Sequence, residues 1–224
     1  DDNDMLKLNR SNRKLNILSI SFLPESKHVL FKLERNENIV VGFCPRFSAL
    51  SEAAKTVKVN NFPLLVGSQN ISPFSEGAYT GEESAVFLKE MIDFSLIGHS
   101  ERRQHFAETD EMVGEKVNRV NEQEIMPLVC VQNAETPVPS KVNVVAYEPV
   151  FAIGSGIPDT PENSEKVSKQ LVELHPSVSV LYGGSVNKDN AAAFIQQEHI
   201  SGLLIGKASL EAEHFVAIVN ACSS

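Results

Sequence analysis

Apolar residues along the chain gather in short, nearly continuous runs at 16–22, 39–43, 64–68, 94–98, 126–131, 142–147, 179–182 and 202–205. Runs of this length, rich in β-branched side chains, predict eight strands. Because polar residues do not alternate with apolar ones inside them, the strands are expected to be covered on both faces, as in a parallel sheet. Helical spacing falls between them at 45–57, 84–91, 110–122, 160–174 and 188–197, several of these segments opening on a capping residue. The alternation predicts an α/β fold of the (β/α)8 barrel type. A doubly wound open sheet is the competing arrangement, which periodicity does not separate from a barrel.

Two places interrupt the pattern. Only the twelve residues 132–143 separate Val131 from Val144, and Pro137 and Pro139 stand among them. A parallel crossover needs about a dozen residues including its helix, and prolines two apart break one, so this connection between the fifth and sixth strands is expected to have no helix. Without it, three or four large side chains of the neighbouring strands would lie uncovered, at roughly 1.5 to 3 kcal/mol each. An apolar patch near 132–143 and a lowered melting temperature follow from that expectation. The second interruption is the N-terminus, where residues 1–14 are polar and aperiodic and read as a frayed tail before the first strand. No internal repeat is visible, and 1–224 is read as one domain.

Composition narrows the function. The chain carries 20 Lys+Arg against 29 Asp+Glu, a net charge of −9, which disfavours nucleic acid as the main partner while leaving a small pocket for one phosphorylated metabolite open. Cys44, Cys130 and Cys222 are too scattered for a disulfide framework or a zinc site and suggest a reducing compartment. No apolar run approaches the ~18 residues of a membrane span, and the acidic start at Asp1-Asp2 is unlike a signal peptide, so a soluble cytoplasmic protein without membrane contact is expected.

Four segments carry candidate chemistry. Gly98-His99-Ser100-Glu101-Arg102-Arg103 follows a strand and opens a helix. A histidine there, beside the positive end of the helix, suits a neutral hydrogen-bond donor, an electrophile's position; a capping histidine is the plainer reading. Tyr147-Glu148-Pro149-Val150-Phe151 also follows a strand and runs on to Gly154 and Gly156. A carboxylate closing an apolar run gains basicity where water is excluded, and the proline and glycines after it suit a lid between hinges, although a solvated strand-end Glu before an ordinary loop has the same pattern. Tyr182-Gly183-Gly184-Ser185-Val186 and Ile205-Gly206-Lys207-Ala208-Ser209 are glycine turns after late strands, where backbone N–H groups can cradle a phosphate.

In this order and spacing, the four segments resemble the triosephosphate isomerase family over residues 39–221. Gln69-Asn70 with Gly77-Ala78-Tyr79-Thr80-Gly81-Glu82 is similar to its dimer-contact loop. The resemblance implies a cofactor-independent, glycolytic and gluconeogenic enzyme that interconverts glyceraldehyde 3-phosphate and dihydroxyacetone phosphate through an enediolate, as a homodimer. It implies Glu148 as base, His99 as electrophile, Glu101 as an orienting group, and the N–H groups of Gly154, Ser185, Gly206 and Lys207 as phosphate holders, under a lid at 150–156. It also implies Gln69, Asn70 and Thr80 at the dimer contact.

The chain departs from the family pattern in several places. The family has Asn-x-Lys at the end of the first strand, the lysine being a further electrophile. If 16–22 is that strand, the position falls near Leu23 and the lysine is lost; if Lys7-Leu8-Asn9 is the motif, Lys7 supplies it, but Met5 replaces the asparagine. Losing one such charge costs ~10² to 10³ in rate, so a weakened or inactive barrel that binds a phosphate ligand or a protein partner is the alternative reading. Lys207 stands where a second glycine is usual, Phe151 replaces a tryptophan, and the Gly-Glu start after the fifth strand is missing.

Overall fold

In the computed structural model, which describes residues 18–19, 21–22, 38–152 and 158–222, the apolar runs do form strands. The first run gives β1 (Leu18–Ser19) and β2 (Ser21–Phe22), followed by β3 (Val41–Pro45), β4 (Leu64–Ser68) and β5 (Phe94–Ile97). Next come β6 (Met126–Val131), β7 (Val144–Tyr147), β8 (Ser179–Tyr182) and β9 (Ile200–Leu204). All pairings are parallel, and β3 to β9 lie side by side in chain order. Leu18 of β1 stands opposite Val41 on one side and Leu203 on the other, which closes the sheet into a barrel and excludes the open arrangement. Lys7, Leu23, the tail at 1–14, Gly154 and Gly156 lie outside the described residues.

Helices α1 (Phe47–Asn60), α2 (Ala85–Leu88), α3 (Ser100–Phe106), α4 (Asp110–Glu122), α5 (Pro161–Leu174), α6 (Ala191–Ile195) and α7 (Ala212–Ala221) surround the strands. α2 and α6 are shorter than their sequence pattern predicts. Before α6 the Asn187 side chain accepts the N–H groups of Asp189 and Asn190, a local turn that competes with helix over 187–190. α7 has no counterpart among the helical segments that the sequence pattern predicts, although Ala212, Phe215, Ile218 and Val219 form one buried stripe on it.

Strand residues divide by alternation into two layers. Cys44, Phe94, Leu96, Leu128, Cys130, Val144, Ala146, Leu181 and Leu204 point into the barrel and pack on one another. The intervening residues, among them Phe43, Val66, Val129, Val131, Val145 and Val180, pack outward with the helices. Phe94 fills the barrel axis against Gly42 and Gly67, where a Cβ would come within 2.9 and 2.5 Å of its ring.

The crossover at 132–143 has no helix, as its prolines dictate. The expected bare surface is nevertheless absent: Val129, Val131 and Val145 are fully buried. The connection covers the wall itself, with Ala134 and Val142 buried and Val138 packed on the same core. Its fold comes from side chains in place of a helical ladder, the Thr136 hydroxyl accepting the N–H groups of Gln132 and Asn133 at 3.1 and 3.3 Å. No large apolar residue of 132–143 is exposed, so the predicted patch is corrected.

Candidate active site

The end of β5 turns sharply at Gly98, whose φ of +75° is a left-handed conformation that disfavours any side chain. Both polar groups of Gly98 are held: its N–H donates to Glu108 Oε1 at 2.9 Å and its carbonyl accepts from Arg103 Nε at 2.9 Å. His99 then becomes the N-cap of α3, with Nδ1 accepting the Glu101 N–H at 3.3 Å. An Nδ1 that accepts carries no proton, which leaves the proton of a neutral imidazole on Nε2.

At the end of β7, alternation sets Glu148 on the inner face above Val144 and Ala146. Its N–H continues the ladder to Val131 O at 2.7 Å. The side chain is 1% exposed; Oε1 lies 3.0 Å from His99 Nε2, and Oε2 accepts the Ser100 N–H at 2.9 Å. Burial raises the Glu148 pKa above the usual carboxylate value, the nearby His99, the Ser100 N–H and the Cys130 thiol pulling it only partly back. Cys130, also fully buried, is pushed well up by burial and by the Glu148 charge, so it stays a thiol and donates to the carboxylate. The arrangement is a buried, proton-seeking carboxylate facing an imidazole N–H, suited to moving a proton between carbon and oxygen atoms of a bound molecule.

The other residues singled out from the sequence fall in different surroundings. The Glu101 carboxylate is 69% exposed and approaches His99 Nδ1 only to 3.9 Å, so its backbone N–H is the group in hydrogen-bond contact with the imidazole. Ser185 is half-buried beyond β8, its carbonyl accepting from Asn190 Nδ2 at 3.0 Å. Gly206 and Lys207 are exposed beyond β9, at the start of the single helical turn Lys207–Ser209. The first N–H groups of such a turn have no partner within it. Gln69 Nε2 donates to Cys44 O at 3.0 Å and Asn70 Oδ1 accepts Lys116 Nζ at 2.7 Å, both holding the loop to the barrel, while Thr80 is exposed. In the same loop the exposed rings of Phe74 and Tyr79 stack at 4.2 Å.

Sequence reasoning missed the support behind His99. Glu108, 4% exposed, bonds Gly98 N–H, Arg102 Nε and Lys116 Nζ together. One signal was available: Lys116 lies in the stripe Val113, Val117, Val120 on α4, where a buried ammonium requires a buried acid. Of metal-ligand type, Glu165 of α5 is grouped among the described residues with Glu198 and His199, which directly precede the N-terminal end of β9, the end of the strands opposite to Glu148. Among the described residues no helix is long and apolar enough to cross a membrane.

Comparison with known proteins matches residues 10–222 to the family profile described as triosephosphate isomerase. The triosephosphate isomerase of Alkaliphilus metalliredigens is 37% identical over 242 residues, covering 93% of this chain and 96% of the relative. That of Caldanaerobacter subterraneus subsp. tengcongensis is 39% identical over 224 residues, with 85% and 90% covered. That of Aquifex aeolicus is 36% identical over 218 residues, with 84% and 87% covered.

Proposed function

This chain belongs to the triosephosphate isomerase family, and we propose that its Glu148 is the base and its His99 the electrophile of an interconversion of glyceraldehyde 3-phosphate and dihydroxyacetone phosphate. The observation that carries the assignment is the 3.0 Å approach of His99 Nε2 to Glu148 Oε1 inside a buried strand-end corner. At that distance no substrate atom fits between them, so binding must part the pair. The imidazole N–H then passes to the substrate oxygens and the carboxylate to the proton on the neighbouring carbon. Glu148 removes that proton and returns it one carbon away, while His99 Nε2 gives its proton to one enediolate oxygen and takes back the hydroxyl proton of the other, which completes the isomerisation.

The N–H groups of Ser185, Gly206 and Lys207, with Gly154, hold the phosphate in this reading. The ammonium of exposed Lys207 adds a local positive charge on an acidic protein. Water is excluded by the segment after Glu148, which matters because an exposed enediolate can expel its phosphate. Lys7 is the candidate for an additional cation; the family match begins at residue 10, beyond it.

A homodimer belongs to the same reading, supported by the exposed Phe74–Tyr79 stack at the loop tip, an aromatic pair suited to a partner's pocket. So does a cytoplasmic location, in keeping with three free thiols. The deciding experiment is turnover of both triose phosphates by the purified protein beside Glu148→Ala and Lys7→Ala. Turnover lost in the first variant supports the base; equal rates in wild type and Glu148→Ala overturn it. A loss in Lys7→Ala of the ~10²-fold typical of a preorganised charge supports that residue, and an unchanged rate removes it.

A further inference from the structure

A second buried carboxylate, outside the catalytic pair, stands where three elements of the site meet. Asp159 precedes the Thr160 cap of α5 and is 7% exposed. Its Oδ1 accepts the Thr160 N–H at 2.8 Å, Asn163 Nδ2 lies 3.0 and 2.8 Å from its two oxygens, and Ser164 Oγ donates to Oδ2 at 3.1 Å. Those bonds alone make a reinforced helix start. Two more tie Asp159 to strand ends: the Tyr147 hydroxyl donates to the carboxylate, and the Asp159 N–H donates to the Tyr182 hydroxyl at 3.0 Å.

Both tyrosines lead directly into the site. Tyr147 immediately precedes Glu148, and its carbonyl accepts the Gly183 N–H at 2.8 Å. Tyr182 immediately precedes the Gly183-Gly184-Ser185 turn, and its ring stacks on Phe194 at 3.9 Å. Its hydroxyl lies under Gly184, where any Cβ would collide with it. A shift of either hydroxyl therefore moves the base or the turn. We propose that Asp159 is a positioning residue: its carboxylate fixes the Tyr147 hydroxyl beside the Tyr182 hydroxyl held by its backbone N–H, and so sets the distance between the base Glu148 and the phosphate-holding turn at 183–185. The inference rests on the roles given above to Glu148 and Ser185.

The test compares Asp159→Ala, Asp159→Asn and Tyr147→Phe with wild type in kcat, KM for each triose phosphate, affinity for inorganic phosphate by calorimetry, and melting temperature. For Asp159→Ala the expected result is KM and the phosphate dissociation constant both raised about tenfold, as for a sub-ångström misplacement of a preorganised site. Asp159→Asn, which keeps an oxygen acceptor for the Tyr147 hydroxyl, is expected to recover most of the loss. A fall in melting temperature with KM and phosphate affinity unchanged in the variants overturns the proposal, since a helix cap alone would do that. Should Asp159→Ala fail to fold, Asp159→Asn and Tyr147→Phe decide, unchanged phosphate affinity in both overturning it. Wild-type protein that binds phosphate without turnover would sink the role of Glu148 while leaving the phosphate comparison to judge Asp159; wild type that neither binds nor turns over sinks both.

Discussion

Two glutamates flank the same turn at the end of β5, and their partners treat them oppositely. Glu108 takes the Gly98 N–H and Glu148 the Ser100 N–H, two residues further on. Burial raises the pKa of each. At Glu108 that effect is overcome by Lys116 and Arg102, which hold its pKa below the usual value. At Glu148 the partners are an imidazole, an amide and a thiol, and the pKa stays raised. The charge of a buried carboxylate's partners, more than the depth of burial, decides whether it is a fixed anion or a base.

The same substitution at both positions should separate the two roles. Glu148→Gln is expected to lower kcat by ~10² to 10⁴, the usual contribution of a general base, with little change in melting temperature. Steady-state kinetics and thermal unfolding on one preparation check both halves. Glu108→Gln leaves the Lys116 ammonium buried without its anion, a loss of about 3 to 5 kcal/mol read from denaturant unfolding, while kcat per folded molecule changes far less. Matching losses of activity and stability in both variants would erase the distinction.

Acid sharpens the contrast. The raised pKa of Glu148 means that protonation is easier in the folded state, so acidification through it stops turnover without costing stability. Glu108 behaves in the reverse sense: its stabilisation is present above the unfolded value of about 4.3 and is lost as pH falls through the lower folded value. A mildly acidic range is therefore expected in which the protein is folded and inactive, visible as circular dichroism unchanged while kcat/KM falls. The smallest effect belongs to exposed Glu101, where Glu101→Ala should leave turnover within about twofold and stability within about 0.5 kcal/mol.

These contrasts also mark what the sequence could disclose. Strands such as Leu64–Ser68, Met126–Val131 and Ser179–Tyr182 were legible to the residue, because unbroken apolar runs bounded by polar residues admit few other forms. His99 and Glu148 were legible as strand-end residues, but their 3.0 Å approach depends on how neighbouring strands curve together. The coverage of Val129 and Val131 was illegible because a valine packs equally well on a loop as on a helix. Asp159 was hidden by its position before a capping threonine, where an acidic residue has an ordinary explanation. Its two tyrosine partners come from strands that only the barrel brings alongside.

The closure of the sheet at Leu18 has a consequence in time. Leu18 pairs with Val41 nearby in sequence and with Leu203 almost a whole chain away. During synthesis the first strand leaves the ribosome long before its last neighbour exists, so one of its edges must wait, open, until β9 emerges. Ring closure over so long a stretch is the slowest kind of contact to make. A chain stopped before β9 would hold a curved sheet with two free edges, the state most exposed to pairing with a second nascent copy.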